Sequence, residues 1–142
     1  MSFLAIDPAT DVRELFAFGV RLHGHPGPFL ALGIRMGLLA LRLLGSPGYR
    51  GITAEVETGT KPPLSCLVDG VQVATGCTAG KGNLVIQDLG RAAATFRVGE
   101  RGARIEVRPE WLSRIQSEGA ADHLAEAVLA ASPEELFTWT LF

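Results

Sequence analysis

Cysteine is scarce in this chain: Cys66 and Cys77 stand alone among 142 residues. Two thiols cannot build a disulfide framework or a four-thiolate zinc site. Lysine is equally scarce, Lys61 and Lys81 against eleven arginines. The formal charge is only −2, from 13 basic and 15 acidic side chains. A chain built to coat nucleic acid carries a basic excess, so no nucleic-acid partner is expected. Long uncharged apolar runs are lacking too. The longest, Phe29 to Gly45, is interrupted by Arg35 and Arg42. A bilayer-spanning helix needs about 20 apolar residues with few charges. The run therefore reads as a buried amphipathic helix, and no membrane partner is expected. The N-terminus, Met1 to Asp7, has no basic start and too short an apolar run for a signal peptide. The expected compartment is a reducing cytoplasm.

What is present describes one folded domain, residues 1–142. The composition is 47% hydrophobic and 20% charged, which excludes broad disorder. Residues 11–22 carry Val12, Leu15, Phe16 and Val20 at helical spacing, with Thr10 or Asp11 as cap. The segment His23-Gly24-His25-Pro26-Gly27-Pro28 must turn. A second helix is predicted over 29–44 and a strand over 52–56. Residues 65–74 fit a helix, with Leu67, Val68, Val71 and Ala74 on one side and Asp69 and Gln72 sharing a face. A glycine-rich loop follows over 75–83. Strands are predicted over 84–86, 93–98 and 103–107, with a turn at 99–102 between the last two. Helices are predicted from Pro109 to about Glu118 and from Ala121 to Ala131. Ser132-Pro133-Glu134-Glu135 is a capping box that starts another. The order predicts an α+β fold with helices packed on a mixed or antiparallel sheet.

Several residues could carry chemistry. His23 and His25 flank Gly24 in the first turn, where two imidazoles can converge on one ion, or one can bind while the other supports it. Cys66 and Cys77 can be metal ligands, nucleophiles or inert hydrophobes. If 66–75 is helical, their Cα atoms lie roughly 15 Å apart. One ion, with zinc–sulfur bonds of about 2.3 Å, then cannot take both thiols of one chain. If the segment is not helical, both can join the histidines. Cys66 is placed near a helix N-terminus, where the dipole favours a thiolate. Asp69 could orient a ligating histidine or act as a base. The run Gly76 to Gly82 resembles a phosphate loop but has three residues where a P-loop needs four, and Gly82 where it needs Ser or Thr. Its backbone with Lys81 could still take a carboxylate or phosphate. Arg35 and Arg42 read as helix-surface or salt-bridge residues rather than anion clamps, His123 as structural, and Trp111 and Trp139 as core or interface anchors rather than a ligand platform.

Two segments together carry a resemblance. His23-Gly24-His25-Pro26-Gly27-Pro28-Phe29 through Gly37, and Ser65-Cys66-Leu67-Val68-Asp69-Gly70 through Leu84, resemble the signatures of the FmdE family, named for one subunit of formylmethanofuran dehydrogenase. The stretch Arg108-Pro109-Glu110 through Phe137 is similar as well. The resemblance implies an α+β core domain, a groove bearing zinc, and a homodimer. Carried over by position, the implied metal ligands are His23, His25, Cys66 and Cys77. Asp69, Gln72, Thr75, Lys81 and Asn83 are the implied ligand-binding residues, suited to a small anionic ligand. Many relatives have Cys-Pro-Gly where this chain has Gly27, Pro28 and Phe29, so one thiolate is missing. Larger relatives add a zinc ribbon with Cys-X-X-Cys pairs, and this chain resembles the core domain alone. The sequence holds no cluster motif and no room for a pterin domain, so the redox reaction of the parent enzyme is not expected of it. Three readings follow: a metal-binding accessory or small-ligand domain, a zinc- or cysteine-dependent hydrolase or transferase, and a structural component with a vestigial groove.

Overall fold

The computed structural model describes residues 3–119 and 122–142. The expected helix start at Ala121, and Met1 and Ser2, lie outside the described residues. Helix α1 spans Val12–His23, with the Asp11 carboxylate accepting from the Arg13 amide at 2.9 Å. It stops at Gly24, whose φ of 91° places the turn in the left-handed region. Helix α2, Pro28–Leu44, starts on a proline and is buried on nearly every side. Such a helix belongs in the middle of a domain. It packs against α1, α3 (Cys66–Thr75), α5 (Asp122–Ala130) and the inner face of the sheet.

The sheet has five strands in the order β2-β1-β3-β4-β5. They are β1 Thr53–Val56, β2 Leu84–Ile86, β3 Ala93–Val98, β4 Arg101–Val107 and β5 Phe137–Leu141. Strands β1 and β2 pair parallel, and α3 lies on the crossover between them. The other pairs are antiparallel, so the sheet is mixed and the fold is α+β. Ala54, Val56, Ala94, Phe96, Ala103 and Ile105 face inward and are fully buried. The remaining helices are α4, Pro109–Glu118, and the single turn α6, Pro133–Leu136.

Two expectations need correction. The β3–β4 turn is the two-residue Gly99-Glu100, because Arg101 already pairs with Val98. The chain ends on a strand rather than a helix. Ser132 does cap a turn, accepting from the Glu135 amide at 3.2 Å while the Glu135 carboxylate accepts from the Ser132 amide. One turn later Phe137-Thr-Trp-Thr-Leu takes over. These residues favour strands, and β4 offers an edge that pairs Ile105 with Trp139 and Val107 with Phe137.

The closest approach in the fold is between α2 and α3. Gly33 and Gly70 face each other across the crossing. A Cβ on Gly33 would lie 2.9 Å from the Gly70 Cα and press on the Leu67 carbonyl. One turn on, a Cβ on Gly37 would lie 2.7 Å from the Ala74 Cβ. Small residues four apart on both helices let the backbones touch. This contact carries the N-terminus of α3 alongside the turn that precedes α2.

Candidate functional site

His23 ends α1 and its ring faces Asp69 on the first turn of α3. Its Nδ1 lies 2.6 Å from Asp69 Oδ2. Gln72, one turn further along α3, donates from Nε2 to Asp69 Oδ1 at 3.3 Å. A carboxylate only accepts, so the proton of the short contact belongs to His23 Nδ1. The other ring nitrogen, Nε2, is left for a ligand. A histidine held by a carboxylate through one nitrogen is the arrangement that orients metal-bound or catalytic imidazoles. The pair is sheltered, with the His23 side chain only 14% exposed and that of Asp69 37%.

A cavity of about 390 Å³ opens beside this pair, lined by His23, His25 and Cys66. Its remaining walls are mostly apolar. Phe29 and Leu30 come from α2, Leu64 precedes α3, and Leu112 and Ile115 come from α4. The size suits a small organic ligand. Gly27 also lines it, and a Cβ there would lie 3.0 Å from His25 Nδ1. The side chain missing at Gly27 would therefore have stood beside His25 on this cavity.

The other expected site residues go elsewhere. Cys77 is fully buried in the main core and its thiol points at the Ile52 carbonyl at 3.7 Å. Burial pushes its pKa up. Thr75 is also fully buried; its hydroxyl donates to the Val71 carbonyl at 2.7 Å and accepts from the Cys77 amide. Asn83 ties the loop together, donating to the Tyr49 and Ile52 carbonyls and accepting from the Thr78 amide. Lys81 is exposed, and its ammonium donates to Thr78 Oγ1 at 3.1 Å. These four residues do not line the cavity of His23. Helix α3 is what separates the two cysteines, one at its start and one just past its end.

The Cys66 thiol departs from the dipole argument. Burial raises its pKa, and the charge of Asp69 three residues along raises it further. The backbone contribution of the helix start is smaller. Cys66 is thus a thiol at neutral pH. Among the described residues, no three His, Cys, Asp or Glu side chains are gathered closely enough to hold a metal ion. The donor types and the oriented His23 suit zinc, but only three of the four expected donors share the cavity.

The α4 wall was not foreseen as part of the site. Its signal was present, since Leu112 and Ile115 are three apart among the polar Ser113, Arg114, Gln116 and Ser117. Arg35 is half-buried and not salt-bridged among the described residues: its Nη1 donates to the Val128 and Leu129 carbonyls at 2.8 and 2.9 Å, closing the end of α5. His123 meets Glu118 at 2.9 Å, and Trp111 donates to the Glu135 carbonyl. None of the described helices is long and apolar enough to cross a membrane.

Comparison with known proteins agrees with this architecture. A curated Archaeoglobus fulgidus protein called "Probable S-adenosyl-L-methionine-binding protein" is 34% identical over 142 aligned residues. The match covers 94% of this chain but only 37% of that protein. The crystal structure of a tungsten formylmethanofuran dehydrogenase FmdE-like protein from Syntrophus aciditrophicus shares the fold. It aligns at TM-score 0.71 and 24% identity, over 99% of this chain and 77% of its own. The family model described as "FmdE, Molybdenum formylmethanofuran dehydrogenase operon" matches residues 22–138, spanning all three histidines, α3 and strands β1 to β4. The chain therefore belongs to the FmdE family.

Proposed function

We propose that this domain binds a small ligand in the His23 cavity together with one divalent ion, zinc by its donor chemistry. The observation that carries this reading is the 2.6 Å contact between His23 Nδ1 and Asp69 at the rim of that cavity. His23 Nε2 would anchor the ion; Cys66 and His25 line the same cavity but are not gathered into a three-donor cluster, so they would have to close on the ion to complete its coordination. Bound zinc would supply Lewis acidity and a polarised water. The chain's own part is to hold the imidazole through Asp69 and Gln72 and to surround the ion with apolar walls. Cys77 would take no part, and membership of the FmdE family, named for a formylmethanofuran dehydrogenase operon, supports an accessory role beside a larger enzyme.

A cysteine nucleophile is the weaker reading, because burial and Asp69 both keep Cys66 protonated. The ligand in the Archaeoglobus relative's name supports an adenosylated sulfonium compound as one occupant. The apolar walls would take its uncharged parts. Protein purified without chelator should contain up to one zinc per chain. His23→Ala should lose it, and loss should leave the far-ultraviolet spectrum unchanged. Full zinc in His23→Ala contradicts the proposal.

A further inference from the structure

We infer that the hollow between the start of α1, the middle of α2 and the end of α5 is a second site, which binds a small oxyanion. It shares no residue with the His23 cavity, and its volume is about 230 Å³. Arg35 and Arg42, seven residues apart on one face of α2, both line it. Thr10, Leu38 and Pro133 form part of the wall.

Arg35 is held in place. Its Nη1 bonds to two carbonyls at the end of α5 use two of five guanidinium donors, and the rest of the fork has no partner among the described residues. Among the described residues, neither arginine forms a salt bridge. Three carboxylates within two residues in sequence of lining residues accept from backbone amides. Asp7 accepts from Ala9, Asp11 from Arg13, and Glu135 from Ser132. Two like charges therefore share the hollow, Arg35 half-buried and Arg42 exposed, with no carboxylate in salt-bridge contact with either among the described residues. Burial, and then the charge of Arg42, push the Arg35 pKa down. An oxyanion between the two forks would offset both costs through charge-assisted hydrogen bonds. The pre-set Arg35 lowers the ordering cost of that contact. The ligand class is a small molecule bearing a phosphoryl or carboxylate group.

The test is calorimetric titration of the whole chain with inorganic phosphate at constant ionic strength, with acetate and chloride in parallel. Saturable binding of phosphate or acetate, absent with chloride, is expected, and the tighter of the two identifies the group. Arg42→Ala should weaken that binding at least tenfold without changing the unfolding temperature in chloride. Arg21→Ala removes another exposed arginine, on α1, and should change nothing. The inference fails if chloride binds as well as both oxyanions. It fails equally if Arg42→Ala retains wild-type affinity or Arg21→Ala loses as much.

Discussion

Replacing Gly70 with alanine opposes two effects of known sign. Alanine is the better helix former by about 1 kcal/mol, so propensity alone makes the variant more stable. The crossing argues the reverse. A Cβ at residue 70 would lie 2.7 Å from the Ile34 amide nitrogen, 2.8 Å from the Gly33 Cα, and against the Leu30 carbonyl. Comfortable carbon contacts need about 3.5–4.0 Å. The obstacles are backbone atoms, so no rotamer change relieves them. The helices must separate by about 1 Å. Overpacking of this kind costs about 1–3 kcal/mol, and a backbone clash belongs at the upper end. Set against propensity, the net loss is about 2 kcal/mol, or roughly 6–8 °C in Tm for a chain of this size. Thermal and urea unfolding read this directly. Gly80→Ala is the matched control, because nothing lies within 4 Å of its Cβ position, and it should change stability by less than about 0.5 kcal/mol. A Gly70→Ala protein as stable as wild type would refute the packing argument. It would also undo the account of how Cys66 and Asp69 reach His23.

Other outcomes follow from the site and the sheet. Asp69→Asn keeps the shape of the side chain but weakens its hold on His23, and should lower zinc affinity about 10–100-fold in a competition titration. Gly27→Cys adds a thiol beside His25 and should tighten zinc by at least tenfold; unchanged affinity would remove residue 27 from the site. In alkylation, Cys66 should react slowly at pH 7 and faster as pH rises, with zinc protecting it, while buried Cys77 should react only on unfolding. Glu57 is buried and accepts two hydrogen bonds from Arg104, both at 2.9 Å, which lower its pKa. Its contribution is present above the unfolded carboxylate pKa, near 4.3, and is lost as pH falls through the lower folded value. Glu57→Gln should therefore cost about 2 kcal/mol at pH 7, and the gap from wild type should close below about pH 4. A gap that persists in acid would contradict the charge argument.

Much of the architecture was legible because local signals agreed with tertiary demands. Caps, glycines and periodicity placed α1, α2 and α3 within a residue or so, and the alternation of residues 52–56 marked a strand. Strand β5 was hidden because it follows a strong helix-start signal at Ser132, and its strand state depends on the free edge of β4. That Asp69 could hold a histidine was readable from residue type; that the histidine is His23 depends on the close α2–α3 crossing. The distribution of the remaining candidates could not. Thr75, Cys77 and Asn83 look like ligands in sequence, but a loop that bends back under Ile52 needs their polar atoms for its own amides and carbonyls. Arg35 looked like a surface charge, and only the end of α5, almost a hundred residues later, makes it a cap. The α4 wall was legible as an amphipathic helix, but its position against Phe29 and Leu64 depends on the whole chain.

The most direct measurement is an anomalous diffraction map at the zinc edge from crystals of the zinc-loaded protein. The account predicts one peak in the cavity, bonded to His23 Nε2 with Asp69 retained on Nδ1, and Cys66 in the coordination sphere. A peak at Cys77, or no peak at His23 in protein that contains zinc, would contradict it.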